Sequence, residues 1–274
     1  IISAFLVLKK NKKCALVYHQ QGSMYNEHLS FGGSRKPQLE TLYSKIETFV
    51  IEKAELIIFP SFGALNAFGN TSQISRTIKN TLLGKCHVAY NTIDESILLK
   101  RPDNHKEIDH IIKNKKVFLT VSSLTQAKGV DLIVEKLLKI NRFRDDSVWI
   151  LCGAGYLKDR IYTQVRRSKI EKNFIHIEER IDQNELKFFY EKADFYIMMH
   201  RHSIFDLATL EAMFNSTVPI LSRVGGNLEV EKNNNIVFEE QIDMIGRLTK
   251  NEINKMKEAN QRVYTNFFSN FDFL

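Results

Sequence analysis

Residues 194–222 read DFYIMMHRHSIFDLATLEAMFNSTVPILS, and this stretch decides the fold. The run 194–200, DFYIMMH, lacks polar alternation, so it is expected to be a strand buried on both faces. Residues 206–215, DLATLEAMFN, carry apolar residues at helical spacing, and residues 218–222, VPILS, are again an unbroken apolar run. Strand, helix, strand in this order predicts a parallel β-α-β unit. Two features stand out. Glu211 lies among residues bound for the interior, and Gly225 and Gly226 follow the second strand. Burying a carboxylate is costly unless it is hydrogen-bonded. Glu211 is therefore either a rim carboxylate paired with a lysine or arginine, or an acceptor for a pair of sugar hydroxyls. The two glycines are either a plain loop or a source of backbone N–H groups for a phosphate or sugar.

The same rhythm extends upstream. Strands are expected at 116–121, 147–153 and 174–179, with helices at 129–140, 156–168 and 183–193. Downstream, a short strand is expected at 235–238 and a helix at 252–267. In the first part, strands are expected at 14–19, 55–61 and 86–91, with a helix at 39–54. Residues 100–107, KRPDNHKE, are polar and read as a linker. This rhythm predicts a doubly wound, parallel-sheet α/β fold, and the polar stretch divides the chain into 1–106, with its linker, and 107–274.

The 274 residues are 43% hydrophobic, enough for one large core or two ordinary ones. The net charge of +7 favours anionic partners such as phosphates or an acidic membrane surface. A lysine-rich solvated surface explains it as readily. No short stretch interleaves many basic and aromatic residues, so nucleic acid is not expected as a partner. Cys14, Cys86 and Cys152 form no CxxC pair and are odd in number, which suggests neither a zinc site nor a disulfide framework. A reducing, cytoplasmic compartment is implied. No apolar run approaches the roughly 18–20 residues of a membrane span. The chain opens at Ile1 and closes in FFSNFDFL, and both ends are expected to be cut.

In a doubly wound sheet, ligands bind outside the carboxyl ends of the strands. The loop 121–129, VSSLTQAKG, places Lys128 there, where a compact ammonium meets phosphate oxygens. Alone, Lys128 reads more readily as surface decoration. The segment 152–160, CGAGYLKDR, brings Gly153 to the next strand end, and an ordinary tight loop explains it equally well.

Order and spacing together change this. The series VSSLTQAKGVDLIVEKL, GAGYLKDRI and IHIEERIDQNELKFFYEKADFYIMMHRHSIFDLATLEAMFNSTVPILSRVGGNLEV resembles the carboxyl-terminal half of the GT-B glycosyltransferases. It is similar to the large retaining family that uses nucleotide-sugar donors, whose pattern runs VGRLxxxKGxDxLLxA, GxGPLxxxL, then FxGxVxxxELxxxYxxADxxVxPSxxEGFGLxxLEAMAxGxPVIxxxxGGxxEVV. More loosely, CALVYHQQGS resembles the family's strand ending in a histidine that reaches the donor sugar. KAELIIFPSFGALNAF and KCHVAYNTIDESIL resemble the segments that follow it. The resemblance implies a GT-B fold, two Rossmann-like doubly wound parallel-sheet domains of which the first is incomplete, and transfer of a sugar with retained configuration. It also implies a nucleoside diphosphate sugar donor with no further cofactor and no metal. The acceptor would be a glycan, a lipid-linked group or a protein. A place in the cytoplasm, at the inner face of the plasma membrane, in cell-surface polysaccharide synthesis is the expectation.

Carried over residue by residue, the resemblance makes His19 a sugar contact and Lys128 a diphosphate contact, the two catalytic candidates. Glu211 becomes the ribose acceptor. Gly153, Phe205, Leu207, Gly225 and Gly226 line the donor. The chain also departs from the pattern. Ser123 stands where the family has an arginine, and Ser203 where it has the first of two glutamates. Asp206 is a partial replacement for that glutamate, and Arg180 or Arg201 for the arginine. These losses keep open a second reading, an inactive glycosyltransferase-like subunit that binds an acceptor or a partner enzyme. A sugar-nucleotide epimerase or a phosphorylase on the same fold is the third. The phosphorylase cofactor-lysine motif is not found, and the epimerases need a different carboxylate and histidine set.

Overall fold

The structure, a computed structural model, describes residues 17–19, 36–71, 83–98, 105–178, 181–232 and 234–269. Cys14 and Arg180 lie outside them. The chain divides into two compact units, Ile1–Asn91 with Ser203–Phe205, and Thr92–His202 with Asp206–Leu274.

In the first unit, strands β1 (Val17–His19), β2 (Leu56–Phe59) and β3 (Cys86–Val88) form a parallel sheet in the order β1-β2-β3. Helix α1 (Pro37–Lys53) opens with a proline, whose missing N–H is no loss in a first helical turn. Its end and the next helix, α2 (Phe62–Thr71), pack on the sheet through Ile51, Ala54, Ile57, Phe59, Ala64 and Phe68. Helix α2 is not read from sequence. Its interior glycines weaken the helical signal, and burial of Ala64 and Phe68 against β2 supplies the stability.

The second unit opens with a single helical turn at Glu95–Leu98, and helix α3 (Lys106–Ile112) then begins inside the stretch 100–107 read as a linker. A parallel sheet follows, built from β4 (Lys116–Val121), β5 (Ser147–Cys152), β6 (Phe174–Ile177), β7 (Phe195–Met198), β8 (Val218–Leu221) and β9 (Val237–Phe238). Its order is β6-β5-β4-β7-β8-β9. Every residue of β5, β7 and β8 is buried, as strands covered on both faces require. Between them run α4 (Ile133–Leu137, entered through a 3-10 turn at Val130–Leu132), a short helical turn at Phe143–Asp146, α5 (Lys158–Arg167), α6 (Gln183–Lys192), α7 (Leu207–Phe214) and α8 (Asn227–Val230), and α9 (Lys250–Phe267) follows β9. The helix expected over 129–140 is shorter because its first turn winds as 3-10.

Side chains fix these helix starts. Asp182 accepts from the Glu185 N–H, Asp206 from the Thr209 N–H, and Thr249 from the Glu252 N–H in a capping box. Each such cap stabilises by about 1 kcal/mol. In the core, Phe118 stacks on Phe195 at 5.2 Å, and the Trp149 indole N–H donates to the Thr120 hydroxyl at 3.0 Å. Thr120 passes the bond on to the Ile197 carbonyl, so this buried polar pair is satisfied. Among the described residues, no helix is long and apolar enough to cross a membrane.

Candidate functional site at the strand order reversal

Counted along the chain from β4, the six strands lie in the order 3-2-1-4-5-6. The chain therefore leaves β4 toward one edge and returns at β7 toward the other. At this reversal the crevice outside the strand ends is the ligand position of open α/β sheets. Strands β4 and β7 pair only through Phe118↔Phe195 and Leu119↔Tyr196, so the segments beyond them are free to build a site.

Those two segments interlock. Gly129 has φ +64°, and a Cβ there would sit 1.7 Å from the Met199 carbonyl oxygen. Only glycine lets the loops approach this closely. The Arg201 N–H donates to the Ala127 carbonyl at 2.9 Å. Its guanidinium donates to the Gln126 carbonyl at 2.7 Å and grips both oxygens of Asp131. Asp131 is fully buried and also meets Arg160 at 3.2 Å. Burial alone would raise its carboxyl, but Arg201 and Arg160 outweigh burial and hold it below the usual carboxylate range. Arg201, expected to supply a cation to a ligand, is thus committed to the loop that carries Lys128.

Lys128 is committed as well. Its ammonium donates to Asp206 Oδ1 at 2.9 Å. The other oxygen of Asp206 accepts from the Tyr196 hydroxyl at 3.1 Å, the Thr209 N–H at 3.1 Å and the Thr209 hydroxyl at 2.9 Å. His200 Nε2 stands 3.4 Å from Asp206 Oδ1. That approach is Coulombic, because its geometry does not make a hydrogen bond. Both ring nitrogens of this buried imidazole lack a hydrogen-bond partner among the described residues. Burial pushes the Asp206 carboxyl up, but Lys128 and, when it is protonated, His200 outweigh burial and hold it far below the usual range. Asp206 is therefore the anionic hub of the reversal point as well as the cap of α7. Its sequence rationale, a replacement for the lost glutamate, did not anticipate that it neutralises Lys128.

Glu211 sits one turn into α7, half-buried, and its Oε2 accepts from the Tyr190 hydroxyl at 2.8 Å. No described residue bonds Oε1. Burial raises the carboxyl, the Asp206 charge adds to this, and the Tyr190 bond opposes it. No lysine or arginine pairs with Glu211 among the described residues, so the rim ion pair weighed from sequence does not form there. Tyr190 was missed as a site residue, although it occupies the tyrosine of the YxxAD segment.

Beside the reversal point, a cavity of about 420 Å³ lies at the ends of β4, β5 and β6, bounded by Val121, Ser123, Gly153, Ile181 and Leu186 among others. Gly153 has φ +142°, and a Cβ would lie 1.9 Å from the Ser122 carbonyl oxygen. It is there to bring two strand ends together. Glu178 on the cavity wall is ion-paired with Lys158. Ser123 is exposed.

The remaining candidates are dispersed. Ser203 and Phe205 group with the first unit. The Ser203 hydroxyl is buried without a partner among the described residues, and Phe205 stacks on Tyr90 at 5.1 Å. Leu207, the first residue of α7, is exposed. Gly225 has φ +49° in the turn before α8, where Gly226 is the cap. His19 ends β1, in register with Ile58. Among the described residues, no group of three His, Cys, Asp or Glu is placed to hold a metal.

Residues 102–265 match the family described as glycosyl transferases group 1. The chain belongs to this family. Two uncharacterized glycosyltransferases of Methanocaldococcus jannaschii are similar to it. One is 28% identical over 165 residues, 57% of this chain and 41% of the relative. The other is 26% identical over 212 residues, 72% of this chain and 54% of the relative. The chain thus spans about half the length of the curated relatives it matches. Among solved structures, Anabaena HepE in complex with UDP and glucose superposes with a TM-score of 0.76 at 16% identity, over 98% of this chain and 71% of that one. WaaG, a glycosyltransferase involved in lipopolysaccharide biosynthesis, superposes with a TM-score of 0.66 at 16% identity, over 92% and 70%. The fold of this family member is GT-B, as its two parallel sheets and these neighbours show.

Proposed function

We propose that this chain carries the donor-binding half of a glycosyltransferase that takes its sugar from a nucleoside diphosphate sugar. Glu211 carries the proposal. It is a half-buried carboxylate with one oxygen fixed by Tyr190 and the other bonded to no described residue. A cis-diol such as a ribose supplies two O–H donors to that kind of acceptor. In this reading a planar base lies in the cavity at the ends of β4, β5 and β6. The diphosphate meets Lys128 and the backbone N–H groups around Gly225 and Gly226. Because the charge of the leaving diphosphate is met by these groups, the reading invokes no metal and no further cofactor. Retained configuration and a sugar contact from His19 follow from the resemblance alone. The acceptor class, a role in cell-surface polysaccharide synthesis, and a cytoplasmic place at an acidic membrane face belong to the same proposal. The net charge of +7 supports only the acidic membrane face.

A second reading is favoured by one specific observation: with Ser123 and Ser203 in the variant positions, Lys128 is itself neutralised by Asp206. A chain so arranged would serve as an inactive subunit that holds an acceptor or a partner enzyme.

Calorimetric titration of the full-length protein with UDP, GDP, dTDP and ADP decides between them. Micromolar binding of one nucleotide, weakened about a hundredfold in Glu211→Ala, is the expected result. That loss corresponds to about 2–3 kcal/mol for charge-assisted hydrogen bonds. Absence of binding to all four sinks the donor proposal and leaves the inactive-subunit reading.

A further inference from the structure

Lys128 and His200 converge on a single oxygen, Asp206 Oδ1, at 2.9 and 3.4 Å. The two cationic side chains are not equivalent. The Lys128 side chain is 37% exposed and can turn outward, whereas that of His200 is 1% exposed and cannot leave. Asp206 cannot leave either, because its other oxygen is held by Tyr196 and Thr209. An imidazole gains and loses a proton in the physiological pH range. With His200 neutral, Lys128 is the sole full charge balancing Asp206, and a phosphate arriving at Lys128 meets a pair of zero net charge. With His200 protonated, the three groups sum to +1 and Asp206 keeps a buried partner when Lys128 swings to the phosphate.

We propose, building on the donor-binding reading above, that His200 is a positioning residue for Lys128. It takes up a proton as the donor diphosphate binds, takes over Asp206, and frees the lysine for the phosphate. The proton comes from solvent and goes to an imidazole ring nitrogen, and no covalent bond changes.

Lys128 apart, the titratable and charged groups on the elements around His200 are held by partners. From the β4 loop this is Asp131, which is clamped by Arg201 and Arg160. From β7 it is Tyr196, and from α7 Asp206, with Glu211 behind it on Tyr190. From the end of β8 the neutral Ser222 hydroxyl bonds the His200 carbonyl at 2.7 Å. Among the described residues, none of these offers Asp206 a substitute cation when Lys128 departs.

The test is calorimetry on the full-length protein at about pH 6.5 and about pH 8, a span that brackets imidazole titration. Each run is repeated in two buffers of different ionisation enthalpy, with UDP, GDP, dTDP and ADP as probes. The wild type is expected to bind its nucleotide about three- to tenfold more tightly at the lower pH, with proton uptake. His200→Gln should lose both effects. The nucleotide's own phosphate titration is common to both proteins and cancels in the difference. Asp206→Asn keeps a good helix cap and removes the charge that holds Lys128. It is expected to bind with little pH dependence, and it stands in should the buried His200 variant fail to fold. Nucleotide binding with the same pH dependence and proton uptake in a folded His200→Gln, or in Asp206→Asn, overturns this inference and leaves the donor reading intact. No binding by the wild type at either pH overturns both.

Discussion

Arg201 meets Asp131 with both terminal guanidinium nitrogens, at 2.7 and 2.9 Å, across 70 residues of chain. The carboxylate is fully buried and the arginine only partly so. Removing one partner of such a pair strands a buried charge, and this is far more damaging than losing an exposed salt bridge. Arg201→Ala is expected to cost about 3 kcal/mol in urea unfolding. Arg201→Lys should recover little, because an ammonium cannot span both oxygens. A cost below about 0.5 kcal/mol, typical of exposed pairs, would show that Arg160 alone suffices. The pH dependence has a definite sign. A carboxyl held below its unfolded value contributes stability that is fully present above the ordinary value near pH 4, and that contribution drains away as pH falls through the lowered value. Asp131→Asn should therefore be less stable at neutral pH and show a shallower fall in thermal midpoint in acid.

At Gly129 the two loops approach too closely for a side chain. Alanine there needs both an unfavourable φ of +64° and 1.7 Å of room where a carbonyl oxygen already stands. Gly129→Ala is expected to lose about 2 kcal/mol or more. Because Lys128 is its neighbour, nucleotide affinity should fall alongside stability. Thermal melts and titration of the same preparation read both.

Glu211 should behave in the opposite way to Asp131. Its carboxyl is raised by burial, so the ionised form is the one the fold disfavours, and neutral pH is where it costs stability. Glu211→Gln is expected to melt at or above the wild-type temperature at neutral pH, with the difference vanishing as pH falls through the raised carboxyl value. Nucleotide binding should nonetheless be lost. A variant that is clearly less stable at neutral pH would mean that Glu211 serves the fold first.

Cys152 ends β5 in the core, and burial pushes its thiol up to about 12. A protonated, enclosed thiol is a poor nucleophile. Its labelling by a thiol reagent in the native protein is therefore expected to proceed only as fast as the protein unfolds. Mass mapping of Cys152 across a denaturant series checks this.

Much of this was legible in the sequence. Strands such as residues 116–121 announce themselves because both faces are buried and the apolar run is unbroken. Capped helices such as α7 and α9 announce themselves because Asp206 and Thr249 precede an apolar period. Helix α3 was hidden because its first two residues belong to a polar stretch and only Ile108, Ile111 and Ile112 carry its apolar period, too short a run to mark a helix. Helix α2 was hidden by its glycines. At the candidate site, Lys128, Asp206 and Glu211 were marked by spacing against the family pattern. His200, Tyr190 and Asp131 were not given roles, because nothing local to a histidine, a tyrosine or an aspartate says which distant group it will face.

The sequence by itself determined the periods, the parallel α/β class and the family, because these depend on residue order and on short-range burial. Only the tertiary structure decided which charge answers which. Lys128 and Asp206 are 78 residues apart and meet because the strand order seats β4 beside β7. Coulomb energy depends on distance in space and on how far water is excluded. Neither is set until the sheet has closed over its core.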